Sequence, residues 1–346
     1  MGLQSSGHGG IEQPHEKVPD PRLDLLNPAE IDRADELFMM SFEPHLGPLR
    51  ESVKQVGILE PIWLRERGRK FQIINGFRRY DVARELRTGK ITALIWREDE
   101  IDDRHAFQMS LHGNMPGRGL NLVEKGLVLQ KLLHRFSVSR IEVIHTYLPL
   151  LNLEPSETVL NSFLTVNRLS KDLKRYIVSH RLSLNNVLLL ARFSSEDQES
   201  ICGFLSPLKV GENVHREILT FLGEISQRDG IGISDLLSRR ELQNVLIDTR
   251  RSGPQKIQGI RNFLREKRYP KLSELEERFR SHKKKMRLSP QVAIRPPPFF
   301  EGDQLKVEFS FRSLQQYEAL LGELQNLSKQ NIEDLLTIKG YGTDTV

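Results

Sequence analysis

The chain has 346 residues, of which 38% are hydrophobic and 28% charged, and its formal net charge is +5. Its single cysteine, Cys202, excludes an internal disulfide framework and a cysteine-rich metal centre, and no run of about 18 apolar residues is present to span a membrane. The mild basic excess is compatible with a polyanionic partner, and the length predicts two or three domains.

Residues 1–24 read as a disordered tail, rich in Gly, Ser and His and broken by Pro14, Pro19 and Pro21. They lack the apolar stretch of a secretory signal, so the expected compartment is the cytoplasm. His8 and His15 lack a partner cluster that would make them metal ligands. Residues 25–112 read as a small α/β unit. Leu49, Val53 and Val56 mark one face of a helix, and Gly57 ends it. Strands are expected at Ile62–Leu64 and Phe71–Ile74, joined as a hairpin through the polar turn at Gly68. A helix begins near Phe77 and stops at Gly89, and a third strand covers Ile91–Trp96.

Helical patterns dominate residues 113–250: Val123–Phe136, Arg140–Tyr147, Glu157–Val166, Lys171–His180 and a shorter stretch from Leu182 to Arg192. Residues 251–290 read as a charged mixture of linker and helix, ending in a basic run with Lys283, Lys284 and Lys285. That run could hold DNA phosphates through salt-sensitive contacts, or be a solvated charged helix diluted by Glu274, Glu276 and Glu277. In residues 291–346, Val307, Phe309 and Phe311 alternate with polar neighbours, as a strand does. With a strand before it and a helix from Ser313 to Leu327 after it, this reads as a ββα module. Its apolar stripe needs a partner, either a second copy or the chain's own helices.

The most informative segment is Ile73-Ile74-Asn75-Gly76-Phe77-Arg78-Arg79-Tyr80. A strand runs into a glycine and a helix starts at once. The first-turn N–H groups and the positive end of the helix dipole favour an anion there. Gly76 permits close backbone approach, and two adjacent arginines add planar donors suited to phosphate oxygens. The bland alternative is a surface helix whose first turn happens to be basic.

Leu49–Trp96 resembles the front domain of ParB-type partition proteins, which share a fold with sulfiredoxin. Gly57-Ile58-Leu59-Glu60-Pro61-Ile62 and Gly76-Phe77-Arg78-Arg79-Tyr80-Asp81-Val82-Ala83 fill the family's two linked motifs in order. Asn114, Leu120, Asn121 and Glu124 fit the next one, whereas Gly113 stands where an acidic residue is usual and Arg118 comes one place late. The resemblance implies an α+β chain: a ParB/sulfiredoxin-like front domain, an all-α helix-turn-helix-like middle and a small ββα tail that dimerises. It implies CTP with Mg2+, the nucleotide closing a dimeric clamp on DNA. Gly57, Gly76, Phe77, Arg78, Arg79, Tyr80, Asn114 and Arg118 are then the nucleotide- or phosphate-binding residues, with Asn114 near the metal. Losing the acidic residue at Gly113 removes an oxygen ligand and argues against hydrolysis.

In the middle region, Arg140–Tyr147 would be the first helix of the helix-turn-helix and Ser156–Val166 the recognition helix. The connection between them is long and holds Pro149 and Pro155. Asn161, Ser162, Thr165, Asn167 and Arg168 would face DNA, although the guanine-reading Arg or Lys is missing inside the helix. The expected function is a nucleoid-associated, ParB-like DNA-binding protein of chromosome or plasmid partition, or of related regulation. Its partners would be duplex DNA, a second copy and a partition ATPase. The alternatives are a small-molecule kinase or nuclease on the same front fold, with Glu60 as a base, or a degenerate adaptor that has lost its nucleotide. Sulfiredoxin-like chemistry is rejected, because no cysteine lies near Gly76.

Overall fold

A computed structural model of the chain describes residues 18–115 and 119–338. His8, His15 and Arg118 lie outside the described residues. The chain divides into two compact units, residues 1–184 and 185–346.

The first unit holds a five-stranded sheet. Its strands are β1 (Arg22–Leu26), β2 (Ile31–Asp32), β3 (Ile62–Arg67), β4 (Lys70–Asn75) and β5 (Ile91–Trp96), in spatial order β1-β5-β3-β4-β2. β3 pairs antiparallel with β4 and parallel with β5, while β1 pairs antiparallel with β5 and β2 parallel with β4. The β3–β4 hairpin has the expected connection at Gly68, whose φ of 59° suits a glycine. β1 corrects the reading of residues 1–24 as tail throughout: from Arg22 the chain pairs with β5, and Leu26 is buried. Alternation is weak in β4, where Gln72 through Asn75 are all buried, so both faces of this strand are covered.

Helices α1 (Gly47–Val56), α2 (Phe77–Glu85) and α3 (Asp103–Asn114) belong to the same layer arrangement. They are followed by α4 (Leu122–His134), α5 (Arg140–Glu142), a π-helical turn (Val143–Tyr147), α6 (Leu148–Leu150), α7 (Glu157–Arg168) and α8 (Lys171–Ser179). One continuous core runs from Leu26 and Phe38 through Ile62, Ile73 and Phe107 to Leu129, Tyr147 and Phe163. The α/β sheet and the first helices of the middle region therefore share a core, and no break in packing falls at residue 112. The Leu-Asn-x-x-Glu stretch is a helix start in physical terms. Asn121 caps α4 and the buried Glu124 carboxylate returns a bond to the Asn121 N–H at 3.0 Å. Glu124 also accepts from the Phe42 N–H at 3.1 Å, which ties the 36–46 segment to α4.

The second unit is helical over most of its length: α9 (Leu184–Leu190), α10 (Ser195–Leu205), α11 (Glu212–Asp229), α12 (Ile233–Leu237), α13 (Arg240–Ile247), α14 (Gly253–Arg268) and α15 (Pro270–Lys285). The stretch 251–290 is thus mainly two long helices. They are clamped to each other by Arg265 on Glu276, at 2.7 Å through both guanidinium nitrogens. Strands β6 (Val292–Arg295) and β7 (Lys306–Phe309) pair antiparallel, and α16 (Leu314–Gln325) and α17 (Lys329–Leu336) follow. Phe279 and Met286 of the α15 region pack with Ile294, Phe300, Leu335 and Ile338, so part of the tail's apolar surface is spent on the chain's own helix. Phe311, Leu314 and Phe299 remain exposed.

Candidate functional site: a basic turn roofed by a loop

The end of β4 delivers the chain into Gly76, which caps α2 with φ 102° and ψ 18°. Two independent constraints demand glycine here. The backbone is left-handed, and a Cβ at this position would stand 2.7 Å from Ile62 Cγ2 and 3.3 Å from Ile62 Cα. α2 starts with a backbone bond from Tyr80 N–H to Gly76 C=O at 2.9 Å. No side chain caps its first turn and no acidic residue lies in it, so no first-turn carboxylate compensates the positive end of the helix.

The turn opens into a cavity of about 270 Å3. Gly76, Phe77, Arg78, Arg79 and Asn114 line it, together with Glu60, Asn75, Gly113 and Leu49, and the loop residues Phe38, Met40 and Ser41 form another wall. Five of the residues predicted to bind nucleotide, and the candidate base Glu60, are therefore brought together. The two arginines differ in employment. Arg79 is largely covered, and its Nη1 donates to the carbonyls of Glu60 (2.8 Å) and Pro61 (2.9 Å) and pairs with the Glu60 carboxylate at 3.1 Å. Burial pushes its guanidinium pKa down, opposed by the nearby Glu60. Arg79 is first a strap that holds the approach to β3. Arg78 makes an exposed contact, Nη2 to the His45 carbonyl at 3.3 Å, and is the better placed of the two to turn to an incoming anion.

Phe77 is buried and carries the Arg33 guanidinium over its ring at 5.5 Å, while Arg33 also grips Asp81 at 2.6 and 3.0 Å. These contacts fix the azimuth of α2. Two predicted residues do not line the cavity. Tyr80 turns into the core, with its hydroxyl donating to the Pro28 carbonyl at 3.0 Å. Gly57 is the C-cap of α1, with φ 75° and its N–H on Val53 C=O. Glu60, the candidate base, is exposed and engaged by Arg79.

Sequence reasoning missed the roof. Lys131 of α4 donates to the carbonyls of Glu36 (2.7 Å), Leu37 (3.0 Å) and Met39 (2.7 Å), and burial pushes its ammonium down to about 8. Together with the Glu124 bond to the Phe42 N–H, this side chain holds the loop that presents Phe38, Met40 and Ser41. The loop has no periodicity to read, and a lysine on a helix gives no sign of what it reaches. Asn75 was also missed. It is buried, and its Oδ1 accepts from Asn114 Nδ2 at 3.4 Å.

The DNA-facing candidates lie mostly on α7. Asn161 bridges Glu157 and Arg140. Ser162 and Thr165 return their hydroxyls to carbonyls one turn back, at 2.8 and 3.0 Å. Asn167 is turned inward: its Nδ2 donates to the Gly126 carbonyl of α4, and a Cβ at Gly126 would stand 3.1 Å from Phe163 O and from Asn167 Oδ1. Asn167 is thus a packing residue between α4 and α7, which removes it from the base-reading set. Arg168 is exposed. In the second unit Lys284 and Lys285 are exposed, while Lys283 reaches the Ile294 carbonyl at 3.4 Å. Among the described residues no group of three or more His, Cys, Asp or Glu is placed to hold a metal ion, and no helix is long and apolar enough to cross a membrane.

Sheet, turn and cavity together define an α/β domain with a cationic turn at its cavity, followed by helices. The family described as the ParB N-terminal domain matches residues 15–115. A probable chromosome-partitioning protein ParB of Vibrio cholerae is 27% identical over 157 residues, covering 45% of this chain and 50% of that one. A nucleoid occlusion protein of Halalkalibacterium halodurans is 24% identical over 158 residues, covering 46% and 53%. The chain thus spans about half the length of the relatives it matches. Among solved structures, the C-terminally truncated ParB of Caulobacter crescentus complexed to the centromeric parS site covers 63% of this chain and 99% of its own, with 15% identity and a TM-score of 0.33. The same protein complexed with CTP-gamma-S covers 50% and 94%, with 18% identity and a TM-score of 0.25. Superpositions this loose carry no residue correspondences. Residues 15–115 thus match the ParB N-terminal domain, and the described residues there make an α+β front with a helical remainder behind it.

Proposed function

We propose that this chain is a DNA-binding protein of partition or nucleoid organisation whose front domain takes a nucleotide, CTP by family resemblance, at the Gly76–Arg79 turn. The observation that carries the reading is the cavity itself: the uncapped start of α2, Arg78 and Asn114 converge on one space inside the matched domain. Uncompensated helix N–H groups and a guanidinium are a physical match to phosphate oxygens.

The same reading gives α5 through α7 the role of a helix-turn-helix with a lengthened turn, and Arg168, Lys284 and Lys285 the role of phosphate contacts on duplex DNA. Such contacts position the protein and do not read sequence. The exposed Phe311 and Leu314 at β7 and α16 are assigned to a second copy, and an ATPase of the partition type is the partner expected by resemblance. The test is calorimetric titration of the purified chain with CTP, ATP and GTP, followed by duplex binding over a salt series with and without the nucleotide that binds. Selective CTP binding and a DNA affinity that changes with CTP are the expected results. Selective ATP binding with turnover would move the chain to a small-molecule kinase. Binding of no nucleotide would remove the gating role from the cavity.

A further inference from the structure

Family resemblance implies magnesium beside the nucleotide, and the residues present do not fit it. Magnesium demands near-octahedral oxygen coordination and is usually anchored by one or two carboxylates in addition to the phosphates. Among the described residues, Glu60 is the one carboxylate lining the cavity, and its Oε2 is 3.1 Å from Arg79 Nη1. The position where an acidic residue is usual is Gly113, and here it is filled from outside. A Cβ built on Gly113 would stand 2.5 Å from Asn75 Nδ2 and 3.0 Å from two ring carbons of Trp63. Distances this short leave no room for even the first atom of a carboxylate side chain unless both neighbours retreat.

Neither neighbour is a loose surface group. Asn75 is buried and bonded to Asn114, and Trp63 is partly buried with its ring edge-to-face on Trp96 at 6.1 Å. The two are cross-strand partners, at the point where the β3–β4 register shifts. The sheet has thus closed the metal side of the cavity with an amide and an indole. The charges that remain are cationic: Arg78, Arg79 and the start of α2. A free divalent cation is repelled by that set, whereas a polyphosphate is drawn to it.

We propose that this cavity binds the phosphates of a nucleoside triphosphate without a magnesium ion, with Arg78 and the first-turn amides of α2 supplying the positive charge. The proposal rests on the nucleotide reading above, and the experiment separates the two. The full chain is titrated with CTP by calorimetry in excess EDTA and again in excess magnesium. A dissociation constant that magnesium improves by less than about fivefold, roughly 1 kcal/mol, is the expected result. A larger improvement overturns the inference and leaves the nucleotide reading intact. Absence of binding in both buffers overturns the nucleotide reading and the inference with it.

Discussion

Replacing Arg79 and Arg78 by alanine separates the two halves of the phosphate turn. Arg79 donates to two carbonyls and pairs with one carboxylate. The Pro61 carbonyl is partly buried, so its bond to a charged donor is worth about 1.5–3 kcal/mol. The Glu60 carbonyl is exposed and regains water, and exposed ion pairs such as that with Glu60 contribute about 0.5 kcal/mol. Relief of guanidinium desolvation offsets part of this total, which leaves an expected loss of about 2–3 kcal/mol for Arg79→Ala. In a unit of this size that is a fall of roughly 4–10 °C in melting temperature. Arg78→Ala loses the exposed bond to the His45 carbonyl and is expected to cost less than Arg79→Ala while abolishing CTP binding. The assay is thermal unfolding by circular dichroism beside calorimetric CTP titration of both variants. An Arg79→Ala protein that melts with the parent, or an Arg78→Ala protein with unchanged CTP affinity, refutes the division of labour.

Three further outcomes are expected. Gly76→Ala should destabilise by about 2–5 kcal/mol in denaturant melts, because it adds left-handed strain of about 1–2 kcal/mol to a clash with the fully buried Ile62. Asn167→Ala should lower stability while leaving duplex DNA affinity unchanged, and Arg168→Ala should do the reverse, weakening DNA binding across sequences and flattening its salt dependence. Hydrogen bonds from Arg175, and next Lys171, hold the Glu43 carboxyl down to about 2. Because the folded pKa lies below the unfolded one, the contribution of this cluster is complete above the ordinary carboxylate range and is lost as the pH falls toward 2. Melts of the parent and Glu43→Gln between these limits should converge at the acid end, and high salt should shrink the difference throughout because all three groups are solvent-accessible.

The turn was the most legible part of the chain. A glycine between an apolar run and a helical pattern, with arginines directly after it, is a local signal for a strand that turns at once into a helix with a basic first turn. The hairpin and α2 were legible for the same reason. What escaped was set by contacts distant in sequence. β1 is a short strand beside prolines and exists because β5 offers it a ladder. The cavity roof is set by Lys131, which is more than ninety positions from the carbonyls it holds. The inward turn of Asn167 depends on a glycine in another helix, since Gly126 lets α4 and α7 approach closely enough for the amide to reach a carbonyl. Phe77 and Tyr80 share a motif with Arg78, and the sequence alone did not separate those that anchor α2 from those that face the cavity.

The register shift in the hairpin has a consequence for the length of β4. Trp63 pairs with Asn75 but Leu64 pairs with Ile73, so β4 carries one residue, Ile74, with no counterpart on β3. Side chains alternate between faces with a period of two, and an uneven count resets which face comes next. Deleting Ile74 would therefore do more than shorten the strand. It would make Trp63–Asn75 follow Leu64–Ile73 as consecutive ladder pairs and remove the local bend and added twist with which β4 delivers the chain into Gly76. The turn's position is kept by that bulge as well as by sequence, and a graft of Gly76–Tyr80 onto another hairpin would need the extra residue to come with it.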